Sequence, residues 1–110
     1  MANTNPVTER SWLLRWQVGD WRVEPRLNQL ERDGLCERIE PKAIEVLCYL
    51  ASRAPETVSR DELMQAVWSG RIVVDDSITR CIAQLRAALG DDTRNQRVIR
   101  TIAKRGYRLM

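Results

Sequence analysis

The sequence predicts an α+β fold: a four-stranded antiparallel sheet at the N-terminus, three helices, and a two-stranded hairpin at the C-terminus. Three observations carry this reading. Apolar residues alternate in short runs from Leu14 to Ile39, recur at helical spacing from Ile44 to Leu89, and alternate again from Val98 to Met110. Strand and helix periods differ because successive side chains flip across a strand but wind around a helix, so each change of period marks a change of element.

The strands come first. Leu14, Trp16 and Val18, then Trp21 and Val23, then Leu27 and Leu30, then Leu35 and Ile39 form the apolar runs. Gly19-Asp20 and Asp33-Gly34 are tight-turn dipeptides between them, and Pro25 punctuates the middle connection, so a meander follows. Pro41 stands where a first-turn proline is tolerated, and Ile44, Leu47, Cys48 and Ala51 continue a first helix to Arg53. Ser59-Arg60-Asp61-Glu62 reads as a capping box, in which the Ser hydroxyl and the Glu carboxylate satisfy each other's backbone donors. That starts a second helix ending near Trp68. After Ser69-Gly70 and the loop Arg71 to Val74, Asp75 or Asp76 caps a third helix over 75–89, stopped by Gly90. Asp91 to Gln96 links it to a hairpin over 97–110, in which Ala103-Lys104-Arg105-Gly106 is the turn and Gly106 supplies a positive φ.

A chain of 110 residues fits one domain with one modest core. Residues 1–11 are polar and hold Pro6 without an apolar segment, which predicts a loose leader before a folded domain over 12–110. The longest mostly apolar stretch, Ala43 to Ala51, is interrupted by Glu45 and falls far short of the ~20 residues that a bilayer span needs.

Several chemistries lose their means. The chain has no His, and Cys36, Cys48 and Cys81 are scattered rather than in CxxC spacing, so no metal site is expected and the thiols read as reduced core or near-core residues. A redox-sensitive Cys81 on the third helix is the alternative. There is no nucleophile elbow, no Gly-rich phosphate loop after a strand and no clustered carboxylate pair, so neither catalytic residues nor cofactors are expected.

Charge points elsewhere. Positions 1–60 hold nine Arg or Lys against nine Asp or Glu, whereas positions 61–110 hold nine against six, so the whole net excess of +3 lies in the second half. From Thr93 to Met110 the chain carries Arg94, Arg97, Arg100, Lys104, Arg105 and Arg108 with no acidic residue. Such a hairpin suits a polyanion, although an edge strand kept soluble by charge has the same composition. On the third helix, Ile78, Ile82, Leu85 and Leu89 form a narrow apolar stripe, which turns Asp76, Arg80, Ala83, Gln84 and Ala87 outward with Ser77 and Arg86 on the shoulders. Small residues there let a helix seat in a groove about 12 Å wide while Arg80 and Gln84 reach base edges.

The order helix, capping-box helix, loop, helix and basic hairpin is that of a winged helix-turn-helix. Val58-Ser59-Arg60-Asp61-Glu62-Leu63, Val67-Trp68, Ile82 with Leu85-Arg86-Ala87-Ala88-Leu89, and Ile102 with Arg105-Gly106-Tyr107-Arg108-Leu109 closely resemble the OmpR/PhoB-type DNA-binding domain. The resemblance covers about Trp16 to Met110 and includes the four-stranded N-terminal sheet. Within that family the chain is most similar to the N-terminal effector domains of CadC- and ToxR-like regulators, through Lys104-Arg105-Gly106-Tyr107 and the stretch Val23 to Leu30.

The resemblance implies a sequence-specific, double-stranded DNA-binding domain of a bacterial transcriptional regulator, with the third helix in a major groove and the wing at the minor groove. It implies base contacts from Arg80 and Gln84, and places Asp76 beside them either as an acceptor from cytosine N4 or as a charge that lowers affinity. Backbone contacts are implied for Trp68, Ser77, Arg86, Arg100, Thr101, Lys104, Arg105, Tyr107 and Arg108. Gly70, Arg71, Ile72 and Val73 fall where relatives can contact RNA polymerase, and two copies are expected on DNA. A cytoplasmic location is implied, in a parent that is either membrane-anchored through a helix outside this segment or soluble. Asp76 departs from the basic or neutral residue many relatives carry, and Ala83 and Ala103 replace Arg. A winged-helix protein-interaction module without DNA binding is the alternative.

Overall fold

Alternating apolar residues build the N-terminal sheet as expected. In the computed structural model, which describes residues 15–69, 71, 76–91, 94 and 96–110, strands β1 (Trp16–Val18), β2 (Trp21–Glu24), β3 (Gln29–Arg32) and β4 (Leu35–Arg38) pair antiparallel in chain order. Val23 stands opposite Leu30, and both are fully buried on the inner face. Asp33 and Gly34 both take left-handed φ, 51° and 81°, the geometry that lets a two-residue turn follow the strand twist. The expected leader over 1–11 lies outside the described residues.

Three positions in the sheet region differ from expectation. Leu27 lies in a 3-10 turn, Pro25–Leu27, and is 57% exposed, because Pro25 takes the buried position and Asn28 closes the turn in a left-handed conformation. Leu35 is 65% exposed because β4 is an outer strand whose residues all face solvent. Cys36, expected near the core, is exposed on the same strand.

Helix α1 (Pro41–Arg53) buries Ile44, Val46, Leu47 and Leu50. Helix α2 (Arg60–Trp68) is capped by Ser59, whose Oγ accepts from the Glu62 amide at 3.0 Å. The Glu62 carboxylate, expected to reach back to Ser59, instead accepts from the Tyr49 hydroxyl at 2.7 Å and pairs with Arg53, tying α2 to α1. At the other end of α2, Lys42 donates to the Val67 carbonyl at 2.8 Å, placing a cation at the negative pole of the helix. Helix α3 (Ser77–Leu89) starts later than read from the sequence. Asp76 occupies its N-cap position without a side-chain cap bond, and Asp75 lies outside the described residues. Gly90, in a left-handed conformation, ends it.

The wing is β5 (Ile99–Ile102) and β6 (Gly106–Leu109). Lys104 is the left-handed turn residue, at φ 63°. Gly106 opens β6 with the expected positive φ, 148°, and is also required by a close approach: a Cβ there would lie 2.0 Å from the Val58 carbonyl oxygen. Val58 and Tyr107 exchange amide hydrogen bonds of 2.7 and 2.9 Å, docking the wing on the segment before α2. One core joins sheet, helices and wing through Leu30, Leu47, Leu63, Ile82, Leu85 and Ile99. Cys48 and Cys81 are buried within it, and burial pushes the Cys48 thiol up to about 11 and raises that of Cys81. A thiol held protonated is a poor nucleophile, which argues against a redox role for Cys81.

Candidate nucleic-acid interface

The buried stripe of α3, from Ile78 to Leu89, dictates what the helix presents. Asp76, Thr79, Arg80, Ala83 and Ala87 are exposed along one face, while Ser77, Gln84 and Arg86 are half-buried at its margins. The face is shallow at Ala83 and Ala87, and Arg80 is the cation that projects from it. Thr79 belongs to this face and went unread in the sequence, although its helical position beside Ala83 places it there.

The margins are occupied by contacts within the protein. On one side, Gln84 Oε1 accepts from the Glu40 amide at 3.2 Å, binding α3 to the start of α1. On the other, Arg86 Nη2 donates to the Ile99 carbonyl at 2.9 Å and to the Thr101 hydroxyl at 2.7 Å, binding α3 to the wing. Of the residues the family resemblance associates with DNA, Gln84, Arg86 and Thr101 thus have side-chain polar atoms engaged within the protein.

The wing is fixed by further polar contacts. Asp91, just beyond α3, accepts from the amides of Arg97, Val98 and Ile99 at 2.8, 3.1 and 3.0 Å, so its carboxylate organises the approach to β5. Thr101 donates its amide to Gln96 Oε1 at 2.8 Å. Arg60, in the first turn of α2, donates to the Tyr107 hydroxyl at 3.0 Å and to Thr79 Oγ1 at 3.4 Å, so it touches the wing and the exposed face of α3 together. Neither Asp91 nor Arg60 was singled out from the sequence, because their partners lie in other elements.

The remaining sequence-assigned residues divide by burial. Tyr107 is 7% exposed and Trp68 9%, so each offers only an edge to a ligand. Lys104 and Arg105 are exposed at the wing turn. Arg100 and Arg108 face each other across the hairpin, and Arg108 Nε is buried without a hydrogen-bond partner among the described residues. Arg71 is exposed, whereas Gly70, Ile72 and Val73 lie outside the described residues.

Two grooves flank α3. The first, about 450 Å³, runs between α3 and the wing and is lined by Thr79, Ala83, Arg86, Ala87, Thr101 and Tyr107. The second, about 560 Å³, lies on the opposite shoulder, where Gln84 meets the 3-10 turn and the β4–α1 junction. No helix among the described residues is long and apolar enough to cross a membrane.

Comparison with known proteins places this geometry. Positions 35–109 match the family described as "Transcriptional regulatory protein, C terminal". The chain is 41% identical over 95 residues to the transcriptional activator CadC of Escherichia coli, a match that covers 86% of this chain and 19% of that protein. It therefore spans about a fifth of that curated relative's length. The solved DNA-binding domain of E. coli CadC superposes with a TM-score of 0.75 at 40% identity, covering 86% of this chain and 89% of that one. The DNA-binding domain of Klebsiella pneumoniae RstA, solved in complex with the RstA box, shares the fold with a TM-score of 0.74 at 23% identity, covering 87% of this chain and 96% of that one.

Proposed function

The chain belongs to the family of transcriptional regulatory protein C-terminal domains, and we propose that it binds double-stranded promoter DNA, with α3 in a major groove and the wing at the adjacent minor groove. The observation that carries this reading is the juxtaposition of the small exposed face of α3 with a wing that holds only basic charges, across one shared groove. Helix and wing bonded through Arg86 form one surface, so both meet a ligand together. The likeness to the CadC DNA-binding domain supports this reading over a protein-interaction module.

Phosphate contacts position such a protein and base contacts specify its site. Arg80 is the residue for guanine or other base edges, and Asp76 is a candidate acceptor for cytosine N4. Gln84 keeps its amide nitrogen for a base while its oxygen holds α1. Lys104, Arg105, Arg100 and Arg108 serve phosphates along the wing, with Ser77, Thr101, Tyr107 and Trp68 offering neutral donors. Arg86 acts chiefly as the strut between helix and wing.

One domain reads few base pairs, so two copies on adjacent half-sites are the expected binding unit. The loop containing Arg71 is the candidate contact for RNA polymerase. The activity is binding rather than catalysis, and its setting is the cytoplasmic part of a longer regulator.

Fluorescence-anisotropy titration of a promoter duplex and a random duplex across a salt series tests the proposal. Four wing cations predict that log affinity falls against log salt with a slope of about −3.6 or steeper, at about 0.9 per phosphate. A flat salt response, or equal affinity for both duplexes, would overturn it.

A further inference from the structure

We infer that Arg26 and Arg38 form a second phosphate-binding patch, which grips the DNA strand on the side of α3 away from the wing. The inference deepens the DNA-binding reading and rests on it. A helix lying in a major groove is bordered by phosphate backbones on both sides. The wing, with Lys104 and Arg105, lies on one shoulder of α3, and the question is what faces the strand along the other.

The fold answers with two arginines brought together from separate elements. Arg26 sits in the last turn of the 3-10 segment, and Arg38 ends β4 opposite Gln29. The Asn28 carbonyl accepts from the Ile39 amide at 2.8 Å, which stitches the end of the 3-10 turn to the residue after Arg38. Both arginines line the groove that Gln84 of α3 closes, and both are exposed. Neither has an ion pair or hydrogen bond within the described residues. The neighbouring cations are committed differently: Arg22 pairs with Glu31 at 3.1 Å, Arg32 lies over the Trp21 ring, and Lys42 holds the Val67 carbonyl. Unpaired guanidinium groups beside the recognition helix suit a phosphodiester, which they can bind through two parallel hydrogen bonds.

One group opposes them. Glu40 lines the same groove, and its carboxylate makes no cap bond to α1. A like charge beside a phosphate weakens the site, which makes Glu40 a control of opposite sign. The Gln84 bond holds the backbone amide of Glu40, not its side chain, so Glu40→Gln leaves that joint in place.

The test compares wild type with Arg26→Gln/Arg38→Gln, Lys104→Gln/Arg105→Gln and Glu40→Gln on one promoter duplex. The readouts are the salt dependence of binding and ethylation interference at each phosphate. Arg26→Gln/Arg38→Gln should reduce the salt slope by about 1.8, two contacts at about 0.9 each. The interference it loses should lie across the major groove from that lost in the wing variant. Glu40→Gln should bind more tightly than wild type. An unchanged slope in Arg26→Gln/Arg38→Gln, or losses at the same phosphates as the wing variant, with salt-steep wild-type binding intact, overturns this inference alone. Wild type that binds no duplex overturns the DNA-binding reading and this inference with it.

Discussion

Arg86 and Thr101 form the joint between recognition helix and wing: the guanidinium donates to the Thr101 hydroxyl at 2.7 Å and, from two of its nitrogens, to the Ile99 carbonyl. The angle between helix and wing is thus held by a side chain that the family resemblance assigns to phosphate. Whatever spacing of major-groove and minor-groove contacts a DNA site demands, this joint is what meets it.

Arg86→Ala should destabilise the domain by about 1–3 kcal/mol, since it removes a charged donor from a partly buried carbonyl. Arg86→Lys should recover only part of this, because an ammonium cannot reproduce the planar fork. Urea denaturation reads the stability. The salt slope of DNA binding should change by much less than the ~0.9 that a lost phosphate contact removes, and a full unit lost at unchanged stability would return Arg86 to the phosphate-binding set.

Arg80→Ala and Gln84→Ala separate reading from support. Arg80→Ala should cost about 1–3 kcal/mol on a specific site and relax its preference over random duplex. Gln84→Ala should lower folding stability by about 0.5–1.5 kcal/mol through the lost bond to the Glu40 amide, with the smaller effect on discrimination. Anisotropy on paired specific and random duplexes, alongside melting curves, distinguishes the two; the reverse ranking would mean that Gln84 leaves Glu40 to read a base.

Gly106→Ala should be among the most damaging small substitutions. The added methyl meets the Val58 carbonyl oxygen and the Ser59 Cα, both backbone atoms that cannot rotate away. The loss should be about 3 kcal/mol or more, at the upper end of overpacking effects. Thermal unfolding by circular dichroism measures it, and a melting temperature equal to wild type would show that the wing can move off Val58 freely.

Arg100 and Arg108 stand directly opposite each other, where like charges repel. Arg100→Thr should therefore stabilise the folded chain by about 0.2–1 kcal/mol while weakening DNA binding. A variant that gains no stability would show that solvent already screens the pair.

Alkaline stability should report Cys48. Its thiol ionises near 9 when unfolded and about 11 when folded, because burial disfavours the thiolate. The folded state then binds more protons than the unfolded state between these values, so stability falls as pH rises from about 9 to about 11, by roughly 2–3 kcal/mol at about 1.4 kcal/mol per unit. Cys48→Ala should flatten that part of the profile. Identical alkaline slopes in both proteins would assign the loss to other groups.

The sequence by itself determined what depends on neighbours a few residues away. The strand and helix periods, Pro41 at a helix start, the Ser59 cap, the Gly90 stop and the outward face with Arg80, Ala83 and Ala87 are all local properties, and they appear in the structure where the pattern places them. Tertiary structure alone decided which side chains at the margins of that face, and around it, are committed to the protein itself. Gln84 reaches Glu40 across 44 residues, Arg60 reaches Tyr107 across 47, and Arg86 reaches Ile99 and Thr101 across 13 and 15. The same holds for the close approach of Gly106 to the Val58 backbone, which adds to the positive φ read from the sequence, and for Arg26 and Arg38, which share a groove because the Asn28 to Ile39 bond brings the 3-10 turn against the end of β4. A hydrogen bond between distant segments depends on how whole elements pack, and periodicity carries no record of that.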